Sequence, residues 1–134
     1  LCPSDVYIIA RYFSDLICFA EFEKALSEVH RALRLDPFSQ DLLFENEAIC
    51  YFWLKNFSGS LISFKKLKVQ NAKSLFYMAS AFMYEGKETE AKSALEEALT
   101  SGSADIDKFC ESQPFQNKEH NQELNTILIS INNL

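Results

Sequence analysis

The sequence predicts an all-α fold built from helical hairpins, and three observations carry that prediction. Only three Gly and three Pro occur in 134 residues, too few for the turn-dense alternation of an all-β chain. The long apolar stretches recur at three-to-four spacing rather than at two. The order of apolar faces and breaks also returns after about 34 residues, as it does in stacked helical repeats. With 48% apolar and 24% charged residues, the composition is that of one globular domain.

The elements follow in chain order. The segment DVYIIARYFSDLICF offers Asp5 as an N-cap and sets Ile9, Tyr12, Phe13 and Leu16 on one helical face. A turn around Phe19 to Glu21 leads into FEKALSEVHRALRLDP, where Phe22, Ala25, Leu26, Val29, Ala32 and Leu33 line one face and Pro37 stops the helix. The same grammar returns as LLFENEAICYFWLKNF with SGSLISFKKLKV. It returns again as SLFYMASAFMYEGKETEAKSALEEAL, with Glu85 and Gly86 at the turn. The polar stretch SADIDKFCESQPFQNKEHN predicts a short helix through Ile106 and Phe109. NQELNTILISINNL then puts Leu124, Ile127, Leu128 and Ile131 on one face, suited to capping the last hairpin. The expected organisation is a single domain over 1–134, with repeats at about 6–39, 41–71 and 72–102 and a tail with capping helix over 103–134.

Charge and cysteine usage narrow the function. Thirteen Lys plus Arg against nineteen Asp plus Glu leave a net charge of −6, without the basic stripe that neutralising phosphates requires. Nucleic acid is therefore not an expected partner. Asp5, Arg11 and Asp15 break the first apolar stretch, so neither membrane insertion nor a signal peptide is expected, and a cytoplasmic location is. Cys2, Cys18, Cys50 and Cys110 form no Cys-x-x-Cys and have no His pair nearby, so reduced packing cysteines are expected and a metal site is not. No convergent catalytic set is visible. His30 reads as a solvated or half-buried helix histidine and His120 as exposed. Glu45 and Glu47 point to different sides of a helix, and no Gly-rich phosphate loop occurs. A protein that is not an enzyme and needs no cofactor is expected.

The repeats align on Ala25, Ser60 and Ala91, spaced 35 and 31 residues apart. Phe13, Ala48 and Ala79 then fall together, as do Leu16, Tyr51 and Phe82, and Ala32, Leu67 and Ala98. This pattern resembles the tetratricopeptide repeat (TPR). The resemblance implies a right-handed superhelix of three hairpins whose first helices line a concave groove. Its groove positions map onto Tyr7, Ala10, Ser14, Ile17 and Cys18 in the first repeat, Leu42, Glu45, Ile49, Phe52 and Trp53 in the second, and Lys73, Phe76, Ser80, Met83 and Tyr84 in the third. The candidate peptide-binding residues are Tyr7, Ile17, Leu42, Glu45, Ile49, Phe52, Trp53, Phe76, Met83 and Tyr84, with Trp53 the expected hot spot. Phe44, Ala48, Tyr51, Leu75, Ala79 and Phe82 would fill the opposite face. The carboxylate clamp by which some TPR domains hold acidic C-termini is matched at Asn46 and Lys73 but not at Ala10, Ser14 and Tyr77.

A narrower resemblance is to the class II chaperones of bacterial type III secretion, carried by Leu35-Asp36-Pro37, by Glu47-Ala48-Ile49-Cys50, and by Ala79 through Gly86 to Ala91. It implies a stoichiometric escort that holds an extended apolar segment of a secreted translocator protein in the groove. Members of that family dimerise through a helix ahead of the first repeat. This sequence shows no counterpart to that helix, so a homodimer stays an open implication. A general TPR adaptor in a multiprotein complex, or a regulatory fragment of a larger chain, are the alternatives.

Overall fold

The computed structural model describes residues 12–35, 40–101 and 105–134. Among these the chain is all-helical, with eight helices and no strand. It divides into two compact units, Leu1–Lys68 and Val69–Leu134. The N-cap expected at Asp5, the helix stop at Pro37, and the groove positions Tyr7 and Ala10 lie outside the described residues.

The first unit holds α1, described over 12–18, α2 (Phe22–Leu35), α3 (Gln40–Trp53) and α4 (Phe57–Lys65). Helix α2 is strongly amphipathic and buries Phe22, Ala25, Val29 and Ala32, the face its spacing predicts. Phe13 from α1 joins Val29, Ala32 and Leu43 in one apolar cluster, with Leu33 against it. Helix α3 packs on both α2 and α4, and so needs apolar side chains on two faces. At the start of α4 the Asn56 side chain accepts from the Gly59 amide at 3.0 Å. A Cβ at Gly59 would lie 2.7 Å from Asn56 Nδ2, so a larger residue there would displace the capping side chain.

The second unit holds α5 (Ala72–Tyr84), α6 (Glu88–Ser101), α7 (Ile106–Ser112) and α8 (Glu119–Asn132). Asn71 and Ser74 form a reciprocal capping box at the start of α5. Asp105 caps α7 through the Lys108 amide at 2.8 Å. Helix α8 packs on α5, α6 and α7, burying Leu124, Leu128 and Ile131 and leaving Ile127 half-buried. This is the covering role its amphipathic pattern predicts for the last hairpin.

The three hairpin turns share one hydrogen-bonding plan. In the first, Glu21 N donates to Leu16 O at 2.8 Å and Ala20 N to Ile17 O at 2.9 Å. In the second, Asn56 N donates to Tyr51 O at 2.8 Å and Lys55 N to Phe52 O at 3.1 Å. In the third, Lys87 N donates to Phe82 O at 2.9 Å and Gly86 N to Met83 O at 3.0 Å. Each is a Schellman motif, whose penultimate residue must be left-handed. Those residues are Ala20 (φ 58°), Lys55 (φ 69°) and Gly86 (φ 77°). Five positions later stand Ala25, Ser60 and Ala91, whose amides donate to Glu21, Asn56 and Lys87 carbonyls at 2.9, 3.0 and 2.9 Å. The equivalence of these small residues, and of Leu16, Tyr51 and Phe82 as the carbonyls that close the turns, is thus written in the backbone.

Candidate functional site

Of the ten candidate groove residues, the described ones fall into two groups. Leu42 (41% exposed) and Tyr84 (37%) present open surface, and Glu45 and Met83 are half-buried. Ile17, Ile49, Phe52, Trp53 and Phe76 are buried. Trp53 is only 7% exposed. Its ring stacks on Phe22 of α2 with centroids 5.9 Å apart, and Phe52 meets it edge-on at 5.0 Å. Phe52 in turn meets Phe57 of α4 at 5.4 Å. The apolar surplus of α3 is therefore used by its two neighbours, because a helix contacted on both sides is apolar nearly all round. In the second unit Phe76 is covered by Phe109 of α7, stacked with centroids 4.4 Å apart.

The clamp positions are placed no better for a carboxylate. Asn46 is buried, and its Nδ2 donates to the Leu42 carbonyl at 3.0 Å. Tyr77 is fully buried, its hydroxyl donating to Gln113 Oε1 at 3.0 Å. Gln113 Nε2 donates onward to the Phe109 carbonyl, and Asn121 Nδ2 donates to the carbonyls of Cys110 and Gln113. These amides satisfy the end of α7 where it meets α8, a structural duty rather than a recognition one. On the surface of the same unit Tyr84 donates to Glu123 Oε1 at 3.1 Å. Partial burial first, and then the Glu123 charge, push its hydroxyl up to about 12.

A constellation that local sequence reasoning missed lies in the first unit. Glu47 of α3 is 6% exposed. Its Oε2 stands 2.8 Å from His30 Nε2 on α2, and its Oε1 accepts from Ser63 Oγ on α4 at 2.6 Å. Tyr51 OH lies 3.4 Å from the same His30 nitrogen. One carboxylate thus ties three helices together. Despite its residue types, this is not a nucleophilic triad. Serine and histidine both face the carboxylate, so the imidazole is not placed to take the serine proton, and Ser63 is 2% exposed. The nearby Cys50 thiol is pushed up to about 12, by burial first and then by the Glu47 charge, which leaves it protonated and inert. Burial likewise pushes Cys110 up to about 11. The only sequence signals for the cluster were an acid inside the apolar run of α3 and serines in α4 at positions that face inward.

The cysteines described, Cys18, Cys50 and Cys110, are free. Among the described residues no group of three or more His, Cys, Asp or Glu side chains is gathered as a metal site, and no helix is long and apolar enough to cross a membrane. Comparison with known protein families, with curated proteins and with solved structures finds no match to this chain.

Proposed function

We propose that the chain is a protein-binding module of TPR-like hairpins that works without catalysis or a cofactor. The observation that carries this reading is the threefold recurrence of one turn. Three Schellman motifs, each followed by a small residue at the same register, sit 35 and 31 residues apart at Ala20, Lys55 and Gly86. A hairpin turn that recurs in this way is the mark of helical-repeat proteins, and such arrays commonly act by binding other proteins.

The narrower reading is an escort of an extended apolar client segment, as in the secretion chaperones that the sequence resembles; a general adaptor is the alternative. Within each unit the candidate anchors with open surface are Leu42 beside Glu45, and Tyr84 beside Met83. An apolar side chain of a client would cover these without any chemistry. The test is a titration with an extended peptide bearing Leu and Pro anchors, with an acidic C-terminal peptide as comparison, followed through a dye on the peptide. Saturable binding of the apolar peptide, lost in Leu42→Ala or Tyr84→Ala variants with unchanged circular dichroism, supports the escort. A response to the acidic peptide alone favours the adaptor. If neither peptide binds, the proposal fails.

A further inference from the structure

Charge in this chain is segregated. Residues 48–84 contain five Lys, at 55, 65, 66, 68 and 73, and no Asp or Glu, whereas the rest of the chain carries eight basic and nineteen acidic residues. A net charge of −6 therefore hides a band of +5 set within −11. Three of the five lysines gather at the C-terminal end of α4, where Lys65, Lys66 and Lys68 are all exposed. Ile62 lies on α4 one turn before Lys65 and Lys66 and is 58% exposed, and Lys68 follows in the bend just past the helix's C-cap. Lys66 is held in place from below, its Nζ 5.0 Å over the Phe44 ring. The opposite face of α4 buries Ser60, Leu61, Ser63 and Phe64.

We propose that this exposed end of α4 is a docking surface for an acidic amphipathic segment of another protein. Carboxylates of the segment pair with Lys65, Lys66 and Lys68, and one apolar side chain covers Ile62. Complementary charge selects the partner and speeds its arrival, and the isoleucine fixes its position. The extent of the band selects the partner class. Three lysines and one isoleucine match a short acidic segment, while the net charge of −6 on the whole chain disfavours a long polyanion such as a nucleic acid or an anionic bilayer. The proposal is independent of the anchors at Leu42 and Tyr84, and its test uses different residues and a different probe.

The experiment is fluorescence anisotropy with a dye-labelled synthetic helix bearing Glu at every third or fourth position around a central Leu. A single-stranded oligonucleotide serves as a second probe. Saturable binding of the acidic helix is expected, weakening as salt rises to about 0.3 M. The triple reversal Lys65→Glu/Lys66→Glu/Lys68→Glu is expected to weaken it about tenfold or more. The triple Gln variant, which keeps the side-chain stems, should fall between. Reversal of Lys108 and Lys118 in the second unit should change nothing. Equal binding by the reversed and original proteins overturns the proposal, as does the lack of any saturable response. Binding of the oligonucleotide alone also overturns it. Sedimentation of the protein by itself provides the last check: self-association abolished by the triple reversal would assign the face to a second copy of this chain instead.

Discussion

Substitution at the left-handed turn residues should change stability in opposite directions at equivalent places. At Gly86 an added Cβ meets nothing within 4 Å, so the cost of Gly86→Ala is backbone strain alone. Holding an L-residue at φ 77° costs about 1–2 kcal/mol. The smaller conformational freedom of the unfolded alanine chain returns about 0.4–1 kcal/mol. The net expectation is a loss of about 0.5–1 kcal/mol. At Lys55 and Ala20 the strain is already present, with φ of 69° and 58°. Ala20→Gly should therefore gain about 0.5–1 kcal/mol by the same arithmetic, and Lys55→Gly should come out near neutral, because it also loses the ammonium 6.0 Å from the Trp53 ring centroid, worth about 0.5–1 kcal/mol. Equilibrium urea unfolding measures all three as shifts in midpoint at constant slope. A Gly86→Ala variant more stable than the original protein would refute the argument, because it would mean that helix propensity and not the left-handed turn governs these positions. So would loss of stability in both glycine variants.

Two other outcomes follow from the interior of the first unit. Ser63→Ala removes a 2.6 Å hydrogen bond to a buried carboxylate and should cost about 1.5–3 kcal/mol. In a Glu47→Leu background the same change should cost much less, and a double-mutant cycle by urea unfolding showing equal costs would mean the two side chains are not coupled. Alkaline pH should unfold the protein partly through Cys50. Its folded thiol sits at about 12 against an ordinary 9.0, so the unfolded state gives up its proton first. The contribution is complete below pH 9 and is lost as pH rises from there through about 12. Cys50→Ala should flatten the fall in stability over that window, and an unchanged profile would argue against a buried, protonated thiol. For the same reason Cys50 should resist alkylation at pH 8 until the chain is denatured.

What could be read in the sequence was whatever local pattern decides. The turns at Phe19 to Glu21 and at Glu85 and Gly86 are legible because a helix must stop where its apolar face ends. The covering face of α8 is legible because Leu124, Leu128 and Ile131 stand against polar neighbours. Helices α3 and α5 are different. All eight residues from Ser74 to Ala81 of α5 are buried, and α3 is contacted by α2 and α4 together. Periodicity cannot say which side of an all-apolar helix faces a ligand and which a neighbour, so Phe52, Trp53 and Phe76 could be read as groove walls. Phe76 is covered by Phe109, 33 positions away, and Glu47 meets His30 and Ser63 from 17 and 16 positions away. Such pairings exist only once the helices are packed.

The three turns reach one backbone geometry from three different local sequences. Only one of the three corners is a glycine, the residue five positions on is alanine twice and serine once, and the corners are 35 and 31 residues apart. Yet each corner closes with the same pair of amide-to-carbonyl bonds. Glycine is thus not a condition for the corner, since a lysine or an alanine can be held left-handed there by the helices packed on either side.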